Sequence, residues 1–152
     1  MSFQPGNAYF ENQILTASPE RLQFVLLDAA LKSARKAEDF LMAEAPVQAG
    51  VELAFAESIL ADMLGSMRID LAPALVEKAG AVYIYMLKCL CDAHLTDDLR
   101  ALRNAIRVLE VEHETWRMAS QKHVESDHRP PAPHMSLDGA PAAYQGGLTL
   151  EA

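Results

Sequence analysis

Leu99, Leu102, Ile106, Leu109, His113 and Trp116 follow one another at steps of three, four, three, four and three residues. A strand sends successive side chains to opposite faces, whereas an α-helix brings positions three and four apart onto one face. The stretch therefore predicts a helix with a packing seam of the kind buried in helical bundles. Thr96 is read as its N-cap, and Asp97 and Asp98 as acids that complement the positive end of the helix dipole.

Three earlier segments have helical periodicity. Ser18, Pro19 and Glu20 form a start signal, with a capping hydroxyl, a proline suited to the first helical position and an acid in the first turn. The first helix is expected from Pro19 to about Ala43, ending at "EAPVQAG", where Pro46 and Gly50 interrupt the pattern. A second helix is expected from about Val51, with Phe55, Ala56, Ile59, Leu60, Met63, Leu64, Met67 and Leu71 on one wide face. The third runs from Pro73 to about His94, burying Leu75, Val76, Ala79, Val82, Tyr83, Met86, Leu87 and Leu90; Glu77, Lys78, Lys88 and Asp92 share its other side. Four helices of similar length joined by short links predict an all-α antiparallel four-helix bundle. The expected organisation is an apolar N-terminal arm over 1–17, a bundle over 18–119, and a flexible tail over 120–152, whose prolines and glycines bury too little surface to repay ordering.

The 152 residues and 16.7 kDa suit one domain with its own core. A formal charge of -8 disfavours a phosphate backbone or an anionic membrane as general partner, so neither nucleic acid binding nor membrane insertion is expected. Cys89 and Cys91 stand two apart on a helix and can neither pair with each other nor form a redox Cys-x-x-Cys. The N-terminus lacks a basic cluster followed by an apolar run, and no apolar stretch reaches about 20 residues, so the expected compartment is the cytoplasm.

Helix one carries more apolar surface than a bundle core requires. Counted from Leu22, one face holds Leu22, Val25, Leu26, Ala29, Ser33, Ala37 and Phe40 and is assigned to the core. Phe24, Leu27 and Leu31 make a second stripe, roughly opposite, which is expected to face more of this chain, a second subunit or a partner. Tyr9, Phe10, Ile14 and Leu15 in the arm are apolar enough to dock there as a self-ligand.

Chemistry-bearing motifs are sparse. No phosphate-binding glycine loop, nucleophile elbow or zinc-protease motif occurs. Glu110 and His113 have the Glu-x-x-His spacing of di-iron bundles, but the only other instance, Glu125 to His128, lies at the edge of the tail, and His113 sits on the packing seam. No metal, cofactor or enzymatic activity is therefore expected. Arg100, Arg103 and Arg107 form a basic strip on helix four, read either as a solvated face or as a dock for an acidic partner.

The segments "AYFENQILTASPERLQFVLLDAAL", "ESILADMLGSM", "VYIYMLKCL" and "DDLRALRNAIRVLEVEHETWRMA" together resemble the FliS family of flagellin-specific export chaperones over about Ala8 to Ala119. The resemblance implies a cytosolic helical bundle that binds the disordered C-terminal segment of flagellin, prevents its premature polymerisation and hands it to the flagellar export gate. The second stripe, Phe24, Leu27 and Leu31, is then read as the client groove, with Tyr83, Tyr85 and Met86 carried over from the family's third-helix motif. The resemblance also implies a cover around Tyr9 and Ile14, so Tyr9, Phe10, Ile14 and Leu15 are read as a movable cap. The chain departs from the family pattern at Leu27, Asp28 and Ala29, where Tyr-Asp-Gly is usual, at Ile84, where an acid is common, and at Lys88 and Cys89, where a basic pair is common. The competing expectation is a homo-oligomeric structural bundle in which the extra stripe pairs with its copy.

Overall fold

Ser18 accepts a hydrogen bond from the Arg21 amide at 3.2 Å, and Pro19 occupies the first turn, so α1 (Pro19–Met42) starts where its capping signal stands. A computed structural model describes residues 18–67 and 73–127, and contains α1, α2 (Pro46–Gly65), α3 (Pro73–Thr96) and α4 (Leu99–Asp127). The expected arm lies outside the described residues, as does the part of the tail beyond α4.

Four boundaries differ from expectation, the first being the end of α2, which stops at Gly65 with Ser66 as its C-cap, so that Met67 lies beyond the helix and Leu71 outside the described residues. The break between α1 and α2 lies at Glu44 and Ala45, but the rest of "EAPVQAG" already belongs to α2: Pro46 sits in the first turn, where a missing amide hydrogen costs no helical bond. Thr96 does not cap α4, because its hydroxyl donates to the Asp92 carbonyl at 2.8 Å and closes α3. Asp98 carries the cap, its Oδ1 accepting from the Arg100 and Ala101 amides at 2.9 and 3.2 Å. Finally, α4 continues past Ala119 to Asp127.

Around the bundle each helix touches two neighbours: α1 packs on α2 and α4, and α3 completes the ring between α2 and α4. Neighbours run antiparallel, as the α1–α4 pairs show: Asp28 meets His113, Arg35 meets Glu110, and Glu38 meets Arg103. The core joins Leu27, Ala30, Leu31, Ala34 and Ala37 of α1 to Leu53, Ala56 and Leu60 of α2, Met86 and Leu90 of α3, and Leu102, Ala105 and Leu109 of α4. Alanines at so many inward positions let the backbones approach closely, and the four leucines of α2 and α4 fill the space between. Ser33, buried on the α1–α2 contact, donates to Glu52 Oε2 at 2.7 Å and so leaves no unpaired hydroxyl there.

Glycine admits one close approach. A Cβ at Gly50 would lie 3.3 Å from His94 Nε2, so the α2 backbone is open where the His94 ring crosses it. At Gly80 the nearest atoms, Leu64 Cδ1 and Met67 Sδ, stand at 3.9 and 4.0 Å, ordinary contact distances. Gly80→Ala should therefore stabilise the bundle by up to about 1 kcal/mol through helix propensity, and Leu53→Ala should cost about 2–5 kcal/mol through the cavity it leaves. Urea unfolding followed by circular dichroism measures both.

Candidate protein-binding surface

The inner face of α1 takes residues from both expected flanks: Ser33 and Ala37 of the first are buried as expected, and Leu27 and Leu31 of the second join them. Leu27 and Leu31 are 0% and 3% exposed and belong to the central core, so they are not an outward stripe. Their true partners on the helix are Ala30, Ala34 and Ala37, at steps of three and four, and small side chains at core positions hid that phase in the sequence. Phe24 is half-buried at the α1–α4 edge, its ring 4.9 Å from that of His113 with the Arg21 guanidinium 5.1 Å from its centroid. Of the flank expected to be core, Ala37 lies in the central cluster and Ser33 is buried beside it, Leu26, Ala29 and Phe40 pack only against its edge, and Val25, 6% exposed, stands apart from the cluster.

The third-helix residues divide as well. Tyr83 and Met86 are buried, so neither lines a surface groove. Burial, aided by Glu112, pushes the Tyr83 phenol up to about 12. Tyr85 is exposed on the α4 side, where Cys89 beside it raises the phenol and nearby Arg107 counteracts that.

Charge seals the α1–α4 seam. Asp28 Oδ1 lies 3.0 Å from His113 Nε2 and its Oδ2 lies 2.6 Å from Lys32 Nζ. Above this, Arg35 Nη2 meets Glu110 Oε1 at 2.9 Å and Arg103 Nε meets Glu38 Oε1 at 2.7 Å. Such half-exposed pairs contribute only about 0–1 kcal/mol each; their effect is to fix the register of α4 on α1. They also separate Glu110 from His113, since each is engaged by a different α1 residue. Among the described residues no group of three or more His, Cys, Asp and Glu side chains could hold a metal ion.

An uncovered apolar stripe lies on α2. Val47, Val51, Phe55 and Ala54 follow one another around its outer side at helical spacing, and the two valines are 78% and 67% exposed. This helix has three charged residues, Glu52, Glu57 and Asp62, two of them half-buried, so its outward half lacks the polar covering that α1 and α4 carry. A helix apolar around its circumference normally has neighbours on all sides. Among the described residues α2 has them only on the α1 and α3 sides. Toward α3 the stripe deepens into an open hollow of about 490 Å³ lined by Pro46, Val47, Gly50, Val51, Ala54 and His94. His94 is held there by Glu57, with Nδ1 3.1 Å from Oε1. Ile84 and Leu95 on the outer side of α3 extend the exposed apolar area. The stripe was readable in the sequence: Val47, Val51 and Phe55 stand four apart, but placing the helix start at Val51 removed the first of them.

No helix among the described residues is long and apolar enough to cross a membrane. The sequence model of the family described as "Flagellar protein FliS" matches residues 2–123, which includes all four helices but the last turn of α4. No curated protein matches the chain.

The burial of Leu27 and Leu31 predicts that Leu27→Asp or Leu31→Asp abolishes cooperative thermal unfolding, because each places an unpaired carboxylate in the core. Asp28 gives a second test. Burial alone would raise its carboxyl, but hydrogen bonds from Lys32 and His113 outweigh that and hold it below its ordinary 3.8. A depressed carboxyl contributes stability above the unfolded-state value that is lost as the pH falls through the folded one. Asp28→Asn should flatten the loss of stability below about pH 4, measured as the unfolding midpoint between pH 7 and 2.

Proposed function

Because the chain belongs to the flagellar protein FliS family, whose members are export chaperones and not enzymes, we propose that it binds the disordered C-terminal segment of flagellin, prevents its premature polymerisation and delivers it to the flagellar export gate in the cytoplasm. The observation that carries the reading is the outward face of α2, where Val47, Val51 and Phe55 stand exposed on a folded helix with nothing opposite them among the described residues. An amphipathic segment of the client lays its apolar face along this stripe, with the hollow beside His94 receiving one large side chain and Ile84 and Leu95 bounding the site on α3. Filament assembly needs the same apolar faces of flagellin, so occupation of one excludes the other.

The arm is proposed as a movable cover. Val25 is buried without belonging to the four-helix core, and Leu26 and Ala29 lie beside it at the α1 edge; Tyr9, Phe10, Ile14 and Leu15 are the apolar residues upstream that can cover this flank. A client that must displace such a cover binds with an affinity reduced by the fraction of molecules in which the cover is shut.

Val51→Asp combined with Phe55→Asp tests the assignment. Both positions are exposed, so helix content and unfolding midpoint should stay near wild type while calorimetric binding of a flagellin C-terminal segment weakens at least tenfold, about 1.4 kcal/mol or more. Unchanged binding by a folded double variant removes α2 from the client site.

A further inference from the structure

We propose a second docking surface, on the far side of α3 from the α2 stripe, that takes an acidic amphipathic helix of another protein. It lies along the outer seam between α3 and α4. On α4, Arg100, Arg107, Val111 and Met118 stand seven, four and seven residues apart, which places them in one line along the helix. On α3, Lys78, Ala81, Tyr85, Lys88 and Asp92 follow at three, four, three and four. All nine are exposed. Tyr85 and Arg107 join the two lines, because the guanidinium acts on the phenol across the seam.

Two features distinguish this seam from an ordinary solvated face. The first is its apolar centre: Tyr85, Val111 and Met118 are 47%, 64% and 47% exposed. The second is its charge. On the α1 side of α4, Arg103 is neutralised by Glu38, and the α1 residue Arg35 is neutralised by Glu110. On the α3 side, among the described residues, Lys78, Lys88, Arg100 and Arg107 form no ion pair; of the acids nearby, Asp92 stands in the α3 line, Glu114, between Val111 and Met118, is paired with Arg117, and Glu112 is half-buried toward Tyr83. A chain of net charge -8 thus concentrates four unneutralised cations around an apolar strip. From Arg100 to Met118 the line spans about 27 Å, the length of an 18-residue helix. A helix with apolar residues at i, i+3, i+4 and i+7 and glutamates on both flanks matches the strip and its borders together. The overall acidity repels nucleic acid and anionic lipid at long range, whereas a short acidic helix meets only the local positive field.

The test uses the full chain and a fluorescein-labelled 18-residue peptide of that pattern, with a scrambled peptide of equal composition and a version with every glutamate replaced by lysine. Anisotropy should show the acidic helix binding wild type at least tenfold more tightly than the scrambled peptide, more weakly as salt rises. Arg100→Glu with Arg107→Glu should lose that binding, gain the lysine version, and retain both the wild-type melting profile and flagellin-segment binding. Val51→Asp with Phe55→Asp should leave the acidic peptide bound, which separates this surface from the client site. The proposal is overturned if the scrambled peptide binds equally, if the charge reversal has no effect or fails to recruit the lysine peptide, if the α2 variant abolishes binding, or if vesicles containing phosphatidylglycerol bind wild type while the acidic peptide does not.

Discussion

The packing of Leu27 and Leu31 against α2 and α4 is the contact on which the rest of the molecule depends. Together with Ala30, Ala34 and Ala37 it gives α1 a narrow inner face with little side-chain bulk, so α2 and α4 can both approach. Because α1 reaches both, the four helices close into a ring. Each member then has two neighbours and one outward side, and the character of that outward side decides what the helix can do.

The four outward sides differ. Those of α1 and α4 carry polar and charged residues that meet across their shared seam, Asp28 with His113, Arg35 with Glu110, and Glu38 with Arg103. Individually these pairs add little stability, but they oppose slippage of α4 along α1 and cover the apolar stems beneath. The outward side of α2 has one such contact, Glu57 with His94 at its α3 border, and otherwise presents valines and a phenylalanine. A charged seam facing an apolar one makes the bundle two-sided, and exposed apolar surface rimmed by polar residues is the usual mark of an interaction site.

Much of this was legible in the sequence. The Ser18-Pro19-Glu20 start, the helical step from Leu99 to Trp116 and the short links fix the number, order and direction of the helices, since capping and periodicity are local properties. The phase of α1 was not legible. Leu22, Val25, Leu26 and Phe40 outweigh Ala30 and Ala34 in any count of hydrophobicity, yet these alanines join the expected Ala37 in the core, because in a tightly closed ring the inward position is the one with least room. The start of α2 was obscured for a related reason: Pro46 and Gly50 resemble breakers, but one occupies a first turn and the other makes room for His94. Both errors moved the candidate surface from α2 to α1.

The most direct test is to follow methyl groups while the full chain is titrated with a flagellin C-terminal segment. Spectra of isoleucine, leucine and valine methyls resolve the outward positions Val47, Val51, Ile84 and Leu95 from the core positions Leu27, Leu31, Leu60 and Leu109. Large saturable shifts at the first set, with the second nearly still, are the predicted result. Shifts centred on Leu27 and Leu31, with Val47 and Val51 unmoved, would contradict the account and return the client to α1.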